Sequence, residues 1–292
     1  MAVKIKGIVA PITTPFVNEE VSLRDFKANV AKYSETPLSG LLTLGSNGEN
    51  KCLSEEEKYQ ILEAAIEGKG KHQVIMAGCG YDSTRLTLEF AKKAIELGAD
   101  YVSLLTPSYF KKSLTDDVLI GYYTDVAEAL TKPVLIYNAP GFTGITLSNS
   151  VVAKLSQHPN IAGMKDTSPA GTPGYLSVVA DDFDILAGTV NTLLPGMFLG
   201  ATGGVVSLSN AFPHKCCELY DKFVAGDLEG ALAAHKILFR LNQKVSGAAG
   251  VAGVKYAMDL AGYHGGPPRL PLSPISEQAK KVIKDAVDAA GL

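Results

Sequence analysis

The sequence lacks the marks of several large protein classes. No apolar run approaches the roughly 20 residues that a membrane-spanning helix needs, so no membrane partner is expected. Charge is nearly balanced: 27 Lys and Arg against 30 Asp and Glu leave a net −3. That balance gives no basic surplus for nucleic acid or anionic lipid. The amino-terminal stretch MAVKIKGIVAPITTPF is basic, but Pro11 and Pro15 interrupt it and no cleavage site follows. A signal peptide is therefore not expected. Cys52, Cys79, Cys216 and Cys217 show neither disulfide-framework nor C-x-x-C spacing. They read as buried thiols in a reducing, cytoplasmic compartment. His72, His158, His214, His235 and His264 are scattered without metal-ligand spacing. No G-x-G-x-x-G fingerprint points to a dinucleotide, and no G-x-S-x-G elbow to a serine hydrolase.

What is present is an alternation. At 292 residues the chain is long for one ordinary domain, but α/β barrels reach this length undivided. Apolar or β-branched runs begin near Ile8, Gly40, Gln73, Tyr101, Pro133, Ile161, Asp184 and Gly204. Amphipathic stretches lie between them, several with helix-start signals. Ser54-Glu55-Glu56-Glu57 and Ser22-Leu23-Arg24-Asp25 resemble capping boxes, and Thr115-Asp116-Asp117 places acid at a helix start. The segments 172–181 and 192–200 are the weakest helices. Eight such units predict a parallel (β/α)8 barrel, whose doubly covered strands read as apolar runs. Six alternations followed by a separate domain would also fit a doubly wound sheet. From Phe212 to Leu292 the pattern is helical, with breaks at Gly247–Gly253 and in GYHGGPPRLPLSP. The expected division is a barrel over 1–211 and a helical domain over 212–292 packed beside it.

In such barrels the site forms at the carboxyl ends of the strands. Of the side chains collected there, Lys165 is the only cation, and it closes the apolar run IAGMK. A lysine in apolar surroundings is short of hydration, and its neutral amine is a nucleophile that condenses with a ketone to a Schiff base. The plain alternative is a structural ion pair, with Glu49 as the candidate partner. Tyr137 ends the preceding run, 28 residues earlier, and its hydroxyl could relay the protons such chemistry needs. GSNGE at 45–49 offers a tight turn through Gly45 and Gly48, leaving the amides of Ser46 and Asn47 for a carboxylate. GATGG at 200–204 is either a phosphate cradle or glycine for close packing.

Taken in order, GSNGE, TPSY, YNAP, GMKD and GGVVS resemble the dihydrodipicolinate synthase / N-acetylneuraminate lyase family of pyruvate-dependent aldolases. The resemblance covers the whole chain. It implies a TIM barrel with a C-terminal helical extension, usually a homotetramer built as a pair of tight dimers, and no cofactor beyond the lysine. On the matching positions it implies that Lys165 forms the Schiff base with a 2-oxo acid and that Tyr137 shuttles protons. Ser46 would carry a relay hydroxyl, and the Ser46 and Asn47 amides would bind the substrate carboxylate. Tyr109 would complete the relay across the tight dimer interface, and Gly188 and Val206 would border the substrate through backbone groups. The family's synthases carry an arginine five residues after the shuttle tyrosine, and Phe142 stands there instead. GSNGE, LSQHPNIAGMKD and GYHGGPPRLPL resemble rather the 4-hydroxy-2-oxoglutarate and 2-keto-3-deoxy sugar-acid aldolases. The expected reaction is therefore cleavage of a 4-hydroxy-2-oxo acid to pyruvate and an aldehyde. The alternatives are condensation of pyruvate with aspartate semialdehyde, and a barrel that binds a keto acid without turning it over.

Overall fold

The computed structural model describes residues 5–168 and 171–292. Eight strands close into a barrel: β1 (Gly7–Pro11), β2 (Gly40–Thr43), β3 (Val74–Gly78), β4 (Tyr101–Leu105), β5 (Val134–Asn138), β6 (Ile161–Asp166), β7 (Asp184–Ala187) and β8 (Gly203–Val205). Their order around the barrel follows the chain, β1 to β8 and back to β1. Every apolar run read from the sequence is one of these strands and begins within one residue of its expected start. β1, β2, β5, β7 and β8 are buried at every position, as strands covered on both faces must be. The doubly wound alternative is thereby set aside.

A helix follows each strand: α1 (Leu23–Ser34), α2 (Glu55–Gly68), α3 (Thr84–Leu97), α4 (Asp116–Glu128), α5 (Asn149–Leu155), α6 (Gly171–Leu176), α7 (Val190–Phe198) and α8 (Pro213–Val224). The segments read as weak are short here too. α6 carries two glycines and a proline in six residues, and α7 holds Pro195 inside it. The helical extension continues through α9 (Leu228–Lys244), α10 (Ser246–Leu260) and α11 (Glu277–Ala289). The expected break near 247–253 is a kink within α10, where Gly250 takes φ 55° and ψ −144°. Among the described residues no helix is long and apolar enough to cross a membrane.

The chain divides into two compact units, Met1–Lys6 with Met76–Gly204, and Gly7–Ile75 with Val205–Leu292. In the first, Val102, Leu104, Ile136, Met164 and Leu186 are fully buried core residues. In the second, Val9, Leu41, Leu42, Leu238 and Met258 play that part. Burying one such side chain contributes about 1.5–3 kcal/mol.

Two capping boxes were expected and one forms. At Ser54 the hydroxyl accepts from the Glu57 amide at 3.2 Å, and the Glu57 carboxylate accepts from the Ser54 amide at 2.8 Å. At Ser22 the hydroxyl instead donates to Asp25 Oδ2 at 2.8 Å, and no side-chain cap is made. Aspartate is one methylene too short to reach back to the cap amide, so its carboxylate captures the hydroxyl. Thr115 caps α4 through the Val118 amide, as its position promised.

Glu57 has a second partner that the pattern did not disclose. Arg269 grips its carboxylate with two nitrogens, at 2.8 and 2.6 Å, and holds it below the usual glutamate range. A depressed carboxylate contributes stability that is complete above its unfolded value and lost as pH falls through the folded one. Glu57→Gln should therefore flatten the acid limb of the thermal-unfolding profile. An unchanged acid limb would mean that this pair adds nothing to stability.

Candidate active site

The pairing of β5 with β6 sets the geometry of the first unit. Val134 pairs with Ile161, an offset of 27 residues; beyond an irregularity at Val134/Leu135 the offset is 28, and Tyr137 pairs with Lys165. The extra residue in β6 is Ala162, a β-bulge. At the earlier offset Tyr137 would pair with Met164, and Lys165 would leave from the opposite face. The bulge thus brings tyrosine and lysine out together at the strand ends. Lys165 is 6% exposed, Tyr137 is 5% exposed, and Nζ lies 4.2 Å from the tyrosine ring centroid. Among the described residues Lys165 forms no ion pair. An amine held over an aromatic face gains a favourable contact without a carboxylate to neutralise it.

The next rung fixes that lysine in place. Asp166 is buried, and its carboxylate accepts from Asn138 Nδ2 at 2.9 Å, the Ser168 amide at 3.0 Å, Ser168 Oγ at 2.7 Å and Thr172 Oγ1 at 2.6 Å. Asn138 also donates to the Tyr175 hydroxyl, which donates to the Leu147 carbonyl at 2.6 Å. Burial, and then the nearby Asp166 charge, push the Tyr175 phenol up, so it stays a neutral donor. Asp166 is therefore a structural anion. Glycines let the neighbouring chain approach. A Cβ on Gly163 would sit 2.3 Å from the Asp184 carbonyl oxygen, and one on Gly188 would sit 2.6 Å from that of Asp166. The Gly188 amide donates to Asp166 O at 2.7 Å.

Tyr109 lies in the loop after β4 and Phe142 in a one-turn helix, Pro140–Thr143, after β5; both face outward, 78% and 68% exposed. Tyr109 packs edge-on against exposed Phe110 at 5.0 Å, and its amide donates to Asp82 Oδ1 at 3.1 Å. Within one chain, then, Tyr137 and Lys165 are brought together while Tyr109 and Phe142 are presented to the outside.

In the second unit the GSNGE turn follows β2. Its own hydrogen bonds run from the Gly48 amide to Gly45 O and from the Glu49 amide to Ser46 O. Asn47 Nδ2 donates to Ser207 Oγ at 2.8 Å, tying the turn to the segment that contains Val206. Buried Val206 donates its amide to Val9 O at 3.3 Å. The glycines act differently from expectation. The left-handed positions are Leu44 (φ 57°) and Glu49 (φ 53°), while Gly48 is needed because a Cβ would meet three backbone atoms within 3.4 Å.

Glu49 was the candidate partner for Lys165, and the structure gives it another. Its Oε1 accepts from Lys255 Nζ at 2.5 Å, and its Oε2 accepts from the Arg269 amide at 2.9 Å. Lys255 is fully buried in α10. The sequence did carry a signal, one lysine among the small and apolar residues of AGVAGVKYAMDL.

Comparison with known proteins now bears on these arrangements. Residues 4–290 match the dihydrodipicolinate synthetase family. The chain belongs to that family. As a member it is an enzyme of the carbon–carbon lyase class. It is 33% identical to the 4-hydroxy-tetrahydrodipicolinate synthase of Geobacter sulfurreducens over 94% of this chain and 95% of the relative. A dihydrodipicolinate synthase from Acinetobacter baumannii, solved with pyruvate, superposes with a TM-score of 0.93 at 30% identity, covering 99% of each chain. A prophage protein of the family from E. coli K12, also solved with pyruvate, gives 0.92 at 27% identity, covering 98% of this chain and 99% of the other.

The dependence on register predicts the effect of Gly163→Ala. Its methyl would force β6 from β7 at Asp184, an overpacking that costs about 1–3 kcal/mol. A lowered unfolding midpoint with sharply reduced turnover is expected, whereas Ala162→Ser at the partly exposed bulge should stay within about 0.5 kcal/mol of the parent. Parent-like stability and turnover in Gly163→Ala would contradict the close approach.

Proposed function

We propose that the protein is a Schiff-base-forming lyase whose keto-acid substrate or product is pyruvate. The observation that carries this reading is the buried Lys165 amine, in no ion pair among the described residues, on the same rung as Tyr137. Two structural relatives solved with pyruvate support the same donor. The Lys165 amine adds to the C2 ketone, and water leaves to give a protonated imine. A base then takes the C4 hydroxyl proton, the C3–C4 electrons move into the imine, and the aldehyde departs. Protonation of the enamine at C3 and addition of water return pyruvate and the free amine. Tyr137 carries protons in these steps, with the Ser46 hydroxyl as relay, and the Ser46 and Asn47 amides take the carboxylate. Gly188 and Val206 border the substrate through backbone. Tyr109 serves a neighbouring subunit in a homotetramer of two tight dimers, which its 78% exposure beside Phe110 supports. No metal or organic cofactor takes part.

The acceptor has two readings that meet at the same enamine, reached by C3–C4 cleavage in one and by loss of a C3 proton from the pyruvate imine in the other. Phe142 offers no hydrogen-bond donor where an arginine fork would bind a second carboxylate, and this favours cleavage of a 4-hydroxy-2-oxo acid, such as 4-hydroxy-2-oxoglutarate or a 2-keto-3-deoxy sugar acid. The names of the relatives favour the other reading, condensation of pyruvate with aspartate semialdehyde, over the first.

Comparing kcat/KM for the three substrates separates them. Faster cleavage than condensation is expected, with Phe142→Arg raising condensation; efficient condensation exceeding both cleavages would make the synthase reading the right one. Tyr137→Phe should keep its fold and lose on the order of 10² to 10⁴ in rate, as a general acid/base would. Chelators should leave the rate unchanged. No pyruvate released from, or consumed with, any of the three substrates would return the barrel to keto-acid binding without turnover.

A further inference from the structure

The turn that precedes Glu49 has an anchor, and the anchor comes from the far end of the sequence. Glu49 holds a left-handed backbone, φ 53° and ψ 36°, a conformation that costs a non-glycine residue energy and persists only where its surroundings enforce it. Both carboxylate oxygens are occupied, one by Lys255 Nζ at 2.5 Å and one by the Arg269 amide at 2.9 Å. Lys255 also donates to the Pro267 carbonyl at 2.9 Å, so its ammonium joins Glu49 to the 265–269 segment. That segment is seated in turn. Asp259 accepts from the Gly265 and Gly266 amides, and a Cβ on Gly265 would collide with the Lys255 carbonyl at 1.9 Å. The Phe16 ring faces both cations, 4.5 Å from Lys255 Nζ and 4.7 Å from Arg269 Cζ. Arg269 reaches on to Glu57, at the start of α2, and to the Cys52 carbonyl at 2.8 Å. Residues 49, 52 and 57 are thus clamped by a single strap of the C-terminal extension.

We infer that Glu49 is a positioning residue: through Lys255 and the Arg269 amide it fixes the shape of the GSNG turn, and with it the aim of the Ser46 and Asn47 groups at a substrate carboxylate. The aim at a carboxylate rests on the function proposed above; the fixing of the turn does not. The assignment explains why a buried glutamate and a buried lysine stand where an apolar pair would pack more simply. Such a pair carries geometry, since two charges with several hydrogen bonds tolerate few arrangements.

The test uses Glu49→Gln, Glu49→Gly and the double variant Glu49→Gln/Lys255→Met in the full-length chain. Glycine relieves the backbone conformation while removing the anchor, and the double variant removes the buried charge that Glu49→Gln alone would strand. Amide hydrogen exchange over residues 44–50 reads the turn directly, and steady-state kinetics with the keto-acid substrate read its aim. Faster exchange over 44–50 is expected in all three, with exchange in β5 and β6 unchanged. KM for the keto-acid substrate should rise on the order of 10-fold or more, with a smaller change in kcat, as a misplaced binding group would give. Parent-like exchange in Glu49→Gly and in the double variant would overturn the inference, as would a fall in kcat with KM unmoved. A parent protein that neither releases nor consumes pyruvate would instead defeat the proposed function, and the exchange data would still decide whether Glu49 fixes the turn.

Discussion

The register between β5 and β6 is the constraint on which the chemistry depends. One extra residue, Ala162, moves the pairing from an offset of 27 to 28 and sets Tyr137 beside Lys165. Because side chains alternate along a strand, there is no intermediate arrangement: a one-residue slip turns the lysine away. The bulge is held from both sides. Gly163 leaves no space for a side chain against Asp184, and the Asn138–Asp166 bond locks the rung beyond the lysine at 2.9 Å. The amine is kept over an aromatic ring, and the one carboxylate beside it in the chain is spent on four other donors.

The same economy governs the second unit. Buried charges are costly unless paired and hydrogen-bonded, and stripping one partner from such a pair costs about 3–5 kcal/mol. Burial pulls the Lys255 ammonium below its ordinary value, and the Glu49 charge opposes that pull. Glu49, Lys255 and the 265–269 strap close a network whose members answer one another's needs. The helical extension is therefore more than a cover for the barrel. It reaches the turn that follows β2 through named hydrogen bonds.

Much of this was legible in the sequence because the responsible forces are local or periodic. Doubly covered strands produce apolar runs, so all eight were visible, and a lysine closing such a run is conspicuous. The Tyr137–Lys165 pairing followed from their spacing and strand ends, although the bulge that creates it left no mark beyond an ordinary Ala-Gly. What stayed hidden was long-range. Ser54 showed its capping box, but nothing near Glu57 announces Arg269, more than 200 residues away. Glu49 was weighed as a partner for Lys165 because both sit at strand ends, and Lys255 was overlooked because a lysine in a helix usually reaches water. The glycines of GSNGE misled in another way: sequence suggests left-handed turns at glycine, whereas here Leu44 and Glu49 take that conformation and Gly48 yields space to neighbouring backbone.

The central claim is that the amine placed by this register attacks a keto acid. Incubation with pyruvate and borohydride, followed by peptide mapping in a mass spectrometer, addresses it without any assumption about the aldehyde. One reduced pyruvate per chain is predicted, on the peptide that contains Lys165, and none in Lys165→Arg. Labelling at another lysine, or equal labelling of Lys165→Arg, would contradict the account.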